Sequence, residues 1–194
     1  MSSFASRERR RFTPEEYLAL ERGASYPSEY VDGEIFSMAG GTFEHDTITS
    51  NIGGLLYTQL RGTKCQVLTS NMKVRTRSNG LYSYPDVTVV CDKPDFHDSK
   101  RDVLTNPRVL IEVLSPSTEA FDKGEKRLLY QTIDSLQEYV LVAQDQPWVE
   151  HWSRRRDDQW LVSSLKKMSV ELNLASIDCS LRLEEIYERV EFPG

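Results

Sequence analysis

The stretch that most constrains the fold is Val109–Leu114, a run of six residues that is apolar except for Glu112. A short continuous apolar run bounded by polar residues reads as a buried strand. Glu112 sits where that pattern wants an apolar side chain. An ionised carboxylate taken out of water without a partner is costly enough that it normally takes up a proton or is replaced. Glu112 therefore needs a compensating group, either a bound cation or an arginine in an edge strand or oligomer contact. Asp86, which opens the apolar stretch 86–91 directly after Pro85, is the natural second ligand for a cation. Strand alternation puts Asp86, Thr88 and Val90 on one face, and Leu110, Glu112 and Leu114 on one face. Neighbouring strands can then aim both acids at one point.

Ser115-Pro116-Ser117-Thr118 lead from this strand into a helix expected to reach about Ile133. A helix that follows a strand directly folds back over the sheet, so Lys126 or Lys123 can reach the same point. An ammonium there would orient an attacking water or stabilise charge developing on a scissile phosphate. The competing reading is an Asp122–Lys126 surface pair, worth a few tenths of a kcal/mol. His45, between Glu44 and Asp46 at the start of a second helix, is a candidate proton carrier or outer partner of the acids, or else a solvated cap residue. Glu29 and Glu34, on a hairpin, are candidates for a third carboxylate. Trp148, Trp152 and Trp160 fall at strand spacing among apolar neighbours and read as core or dimer surface rather than as base-stacking platforms.

Thr13 is placed to cap a short helix with Pro14 at its first position, ending at Gly23. Residues 29–38 read as a hairpin turning on Asp32-Gly33. Over 44–60 the residues Ile48, Ile52, Leu55, Leu56 and Leu60 recur at helical spacing, with Gly53 and Gly54 marking close packing against a sheet. Two or three strands are expected in 66–90, with a turn at Ser78-Asn79-Gly80, followed by an aperiodic polar loop over 92–106. Further strands are expected at 138–143, 148–152 and 160–165, and a closing helix at 183–190. This order gives an α/β fold of the mixed α+β kind, a central mixed β-sheet flanked by helices. Residues 1–12 are expected to be a disordered tail and 13–194 a single domain.

A formal net charge of −6 argues against a passive nucleic-acid coat protein, because phosphate neutralisation demands a basic surface. It does not exclude an enzyme that gathers carboxylates around a cation. Basic residues cluster at 7–11, 73–77 and 154–156, as solvated runs or as local positive surface. Cys65, Cys91 and Cys179 are far apart and in no CxxC arrangement, which suggests neither a disulfide framework nor a zinc knuckle and fits a reducing cytoplasm. No apolar run approaches the roughly 20 residues that span a bilayer, so no membrane association is expected.

Tyr84-Pro85-Asp86-Val87 and Ile111-Glu112-Val113-Leu114-Ser115-Pro116-Ser117-Thr118 resemble the PD-(D/E)XK nuclease superfamily and, within it, the Uma-two family of restriction-endonuclease-like proteins. The resemblance extends over Ser28-Glu29-Tyr30-Val31-Asp32-Gly33-Glu34, His45, Asp122-Lys123-Gly124-Glu125-Lys126, Tyr130 and Gln137-Glu138-Tyr139-Val140-Leu141-Val142, in the family's order. It implies a central four-stranded mixed sheet, Asp86 and Glu112 holding Mg2+ or Mn2+, and hydrolysis of DNA phosphodiester bonds. The superfamily's usual lysine, two residues after the glutamate, is Leu114 here; relatives can carry it on the following helix, where Lys126 is the matching position. A nuclease-like fold without catalysis, serving as a DNA-binding or protein-interaction module, is the alternative. Because many nucleases that cut both strands act as symmetric pairs, a homodimer is expected, with strand 148–152 as a contact surface.

Overall fold

Thr13 opens the first helix among the described residues, as expected. Its side chain accepts the Glu16 N–H and the Glu16 carboxylate accepts the Thr13 N–H, a reciprocal cap for α1 (Pro14–Glu21). The computed structural model describes residues 10–38, 40–76 and 80–193, so most of the expected tail and the residues Ser78 and Asn79 of the expected turn lie outside the described residues. β1 (Ser28–Val31) and β2 (Glu34–Ser37) form the expected hairpin. Asp32 and Gly33 both take positive φ, 43° and 95°, as a tight two-residue turn between twisted strands requires. α2 (Phe43–Leu60) is capped by Thr42, and its Ile48, Ile52, Leu56 and Leu60 are buried. A Cβ on Gly53 would lie 3.2 Å from Thr69 Cγ2, so this glycine lets α2 approach β3 (Cys65–Thr69), whereas Gly54 faces open space and packs against nothing.

The segment expected to hold two or three strands holds four: β3, β4 (Lys73–Arg75), β5 (Leu81–Ser83) and β6 (Val87–Cys91). The expected loop 92–106 contains β7 (Val103–Leu104), too short to show a period. β8 (Val109–Leu114) is buried throughout. The helix after it runs as α3 (Glu119–Phe121), a π-helical turn Asp122–Lys126, and α4 (Arg127–Tyr130), stopping short of Ile133. Then come β9 (Glu138–Ala143), β10 (Val149–Arg154) and β11 (Trp160–Leu165). β12 (Glu171–Leu174) and β13 (Cys179–Arg182) form a hairpin that the sequence reading did not anticipate, and α5 (Leu183–Ile186) is shorter than the expected closing helix.

Six strands, in the order β11-β10-β9-β8-β6-β3, make a mixed sheet in which only β8 and β9 run parallel, wider than the four strands implied by the resemblance. A second sheet has the order β2-β1-β5-β4-β7. Ile111 and Val113 face α2, the β12–β13 hairpin and α5; Leu110 and Leu114 pack in a separate cluster with Tyr130, Tyr139 and Leu141. Trp148, Trp152 and Trp160 pack half-buried against that second cluster, the first two under Lys123 and Arg127 at 4.2 and 4.3 Å. They serve the core. Lys73 is buried beside the rings of Tyr17 and Tyr84, which removes it from any basic surface.

The expectation for the cysteines is overturned. Cys65 and Cys91 face each other across the β3–β6 ladder, their Cα atoms 3.9 Å apart, and form a disulfide; Cys179 is free and buried. Strand register makes neighbours of two residues 26 positions apart, which spacing along the chain cannot reveal. Among the described residues, no helix is long and apolar enough to cross a membrane.

Candidate active site

β6 runs antiparallel to β8 with Val87 opposite Ile111, and one further step of the same register sets Asp86 opposite Glu112. Asp86 Oδ2 accepts the Val113 N–H at 2.7 Å, which fixes the carboxylate beside β8. Glu112 lies on an interior strand and is 4% exposed. The partner that compensates it is an intrachain lysine rather than an arginine: Lys126 Nζ lies 3.0 Å from Glu112 Oε1. The same ammonium is 3.1 Å from Glu29 Oε1 and 3.2 Å from Asp122 Oδ1. The Asp122–Lys126 pair thus exists, but buried and shared with two further carboxylates, not as a surface pair.

Tyr130 donates its hydroxyl to Glu112 Oε1 at 2.8 Å and stands 2.8 Å from Ser83 Oγ. Tyr139 donates to the Asp122 carbonyl at 3.2 Å, fastening the π-helical turn to the sheet. Asp122, Lys126 and Tyr130, at intervals of four, share one face of this helix, and the π-helical turn spans the first two of them; π turns recur at functional sites. His45, two residues into α2, sets Nε2 3.3 Å from Asp86 Oδ2.

Burial pushes the Glu112 carboxyl up; Lys126 opposes this, while the charges of Asp122, Asp86 and Glu29 add to it, and the result is about 8. The hydrogen bonds suit this state, because a neutral carboxyl can accept from Tyr130 and Lys126 on Oε1 while carrying its proton on Oε2. Burial pulls Lys126 down, but Glu112, Glu29 and Asp122 outweigh it and hold the ammonium well above its usual range. For His45, burial acts downward and is outweighed by the hydrogen bond and charge of Asp86, then by Asp46, so the ring is held up. Burial raises Tyr130 far enough that it remains a donor.

The structure therefore brings together Asp86, Glu112, Lys126, Glu29 and His45. Glu34 sits opposite Val31 at the turn of the hairpin, outside the cluster, and Lys123 is paired with Glu119. Sequence reasoning gave Tyr130 and Ser83 no role and treated Asp122 only as a surface partner. The signal that points to Asp122 and Tyr130 is the spacing of four on either side of Lys126.

Among the described residues, no three His, Cys, Asp or Glu side chains are arranged as a metal-binding group. The donor set nonetheless fits an ion of the magnesium type, which is held by one or two carboxylates and keeps several waters. Four carboxylates, Asp86, Glu112, Glu29 and Asp122, face one lysine and one histidine.

The family model described as "Putative restriction endonuclease", Uma2, matches residues 14–184. Two uncharacterized Synechocystis proteins are similar: sll1609, 36% identical over 163 residues (84% of this chain, 92% of that protein), and slr1290, 35% identical over 182 residues (94% of each). The fold is similar to a crystal structure from Anabaena variabilis described as "a putative nuclease belonging to DUF820", with a TM-score of 0.75, 18% identity, and coverage of 91% of this chain and 97% of that one. With a restriction-endonuclease-like fold and a family match over nearly its whole length, the chain belongs to the Uma2 family.

Proposed function

We propose that this chain is a metal-dependent endonuclease that hydrolyses DNA phosphodiester bonds, with Asp86 and Glu112 as ligands of Mg2+ or Mn2+ and Lys126 in the place of the lysine missing at Leu114. The observation that carries the reading is the approach of Lys126 Nζ to Glu112, 3.0 Å, from a helix rather than from the strand itself. When bound, the cation would polarise the phosphate and lower the pKa of water. The protein's own part is to hold Asp86, just before β6, beside Glu112 on β8 and to keep a fixed ammonium next to Glu112. Lys126, pinned on three sides, stands ready to orient a water or to stabilise charge developing on a phosphate oxygen. Tyr130 steadies Glu112, Glu29 steadies Lys126, and His45, held toward its charged form beside Asp86, is the group placed to carry a proton. Action as a homodimer is part of the proposal, and light scattering checks it.

Incubating the protein with supercoiled plasmid and Mg2+ or Mn2+ tests the activity. Nicking that is lost in Asp86→Ala and Glu112→Gln is expected, and equal nicking by the variants removes these acids from the chemistry. The saturation of Lys126 by three carboxylates favours one other reading, a nuclease-like module without catalysis. DNA binding indifferent to metal, with no nicking, would select it.

A further inference from the structure

Glu138, the first residue of β9, is a second acid buried in the six-stranded sheet, 2% exposed. It alternates onto one face with Val140 and Val142, toward α2 and the β12–β13 hairpin, whereas Leu141, which pairs with Glu112, packs on the other. Glu138 is thus on the opposite face of the sheet from the acid–lysine cluster. Its Oε1 accepts the N–H of Ser176 at 2.9 Å, from the 3-10 turn Ala175–Ile177 that joins β12 to β13. Its Oε2 is buried with no hydrogen-bond partner among the described residues, and so are Nε2 of His151 and Oγ of Ser176. His151, on β10 directly opposite Val140, shares the face, and its Nε2 stands 3.6 Å from Glu138 Oε2.

Buried polar atoms left without partners call for a guest between them, an ion or a water. At 3.6 Å the two side chains are too far apart to hydrogen-bond directly. A water bonded to both at about 2.8 Å would be pinched to an angle of roughly 80°, whereas an ion about 2.1 Å from each would subtend roughly 120°, close to the tetrahedral arrangement that zinc adopts. We propose that Glu138 Oε2 and His151 Nε2 bind a divalent cation of the zinc class, at a second metal site separate from Asp86 and Glu112, which clasps β9 to β10 and, through Ser176, to the β12–β13 turn. With the ring proton on Nδ1, Nε2 supplies the lone pair. An imidazole ligand suits zinc, cobalt and nickel, while magnesium, calcium and manganese prefer oxygen alone. Water fills the remaining positions, and the Ser176 hydroxyl is free to bond one of them. A serine–histidine–acid relay does not fit these residues, because Glu138 faces the ring nitrogen that the serine would need.

Isothermal titration calorimetry with Zn2+ in an excess of Mg2+, on the wild type and on Asp86→Ala, tests the site. One ion per chain is expected in both proteins, whether or not the chain nicks DNA. His151→Gln should weaken it by roughly tenfold or more, since even the outer partners of a bound metal are worth that much, and His97→Gln, at a histidine that contacts Arg75, should leave it unchanged. Metal-free His151→Gln should melt as the wild type does, because Nε2 has no hydrogen bond to lose. A second measurement needs no variant: in the wild type, paramagnetic Co2+ added with excess Mg2+ should shift the ring protons of His151 and leave those of His45 and His97 in place. No Zn2+ bound by Asp86→Ala, equal affinity in His151→Gln, or Co2+ shifts confined to His45 overturns the proposal, and gives the unpartnered atoms to a water or to a direct His151–Glu138 bond.

Discussion

Glu112 keeps its proton in the folded protein to a pH of about 8, against an ordinary value of 4.5. Between those values the folded state binds one proton more than the unfolded chain at this residue. Stability of the metal-free protein therefore falls as pH rises through that window, and below it the two states bind alike. Glu112→Gln keeps the acceptor for Tyr130 and Lys126 and removes the titration, so its urea-unfolding free energy should lose this part of the pH dependence. Parallel curves for the two proteins between pH 5 and 8 would show that Glu112 is not a strained acid. Lys126→Met leaves Glu29, Glu112 and Asp122 around an empty centre. It should cost about 3–5 kcal/mol at pH 8, the usual penalty for removing one partner of a buried pair. At pH 5 the loss should be smaller, because the carboxyls can protonate. Asp86 and Glu112 were legible in the sequence because an acid inside an apolar strand breaks the pattern. Asp122, Ser83 and Tyr130 break no pattern, and only the fold shows Asp122 against Lys126, Tyr130 against Glu112 and Ser83 against Tyr130.

The helix that carries Lys126 passes through the π-helical turn, and Gly124 lies at the middle of it. A Cβ there would meet nothing within 4 Å. Gly124→Ala should accordingly stabilise the protein by about 0.5–1 kcal/mol, the ordinary helix preference of alanine over glycine, and leave any nicking activity within about twofold. Deleting Gly124 is a different perturbation. It leaves Asp122 three positions before Lys126, still on one helix face, but turns the residues on one side relative to the other by about 100°, so Asp122 and Lys126 cannot both keep their present places against the sheets. Loss of nicking with circular dichroism preserved is the expected outcome, and an active deletion variant would mean that the site does not need both in place. α2 was readable from sequence because burial of one face imposes a regular spacing on it, and β8 and β9 because burial of both faces makes each a nearly continuous apolar run. β7, with two residues, and the short β12–β13 hairpin carry too few positions for a period to emerge. The Cys65–Cys91 bond was invisible for another reason, since it depends on register between strands and not on either strand alone.

At the scale of the molecule, the candidate site lies where the two sheets meet. Glu29 comes from the five-stranded sheet and Glu112 from the six-stranded one, and Asp86 sits in the short link between β5 of the first and β6 of the second. A cation shared by Asp86 and Glu112 binds only when this junction is formed, so it should stabilise the whole fold by mass action, about 2.7 kcal/mol at a hundredfold excess over its Kd. The thermal midpoint should rise on titration with Mn2+, and the rise should vanish in Asp86→Ala and in Glu112→Gln. The size of the shift also carries a sign. Binding must displace the Glu112 proton, which is held up to a pH of about 8, so the same Mn2+ concentration should raise the midpoint more at pH 8 than at pH 6. A shift that persists in Asp86→Ala would place the ion elsewhere. One that shrinks as pH rises would mean that Glu112 is not among its ligands.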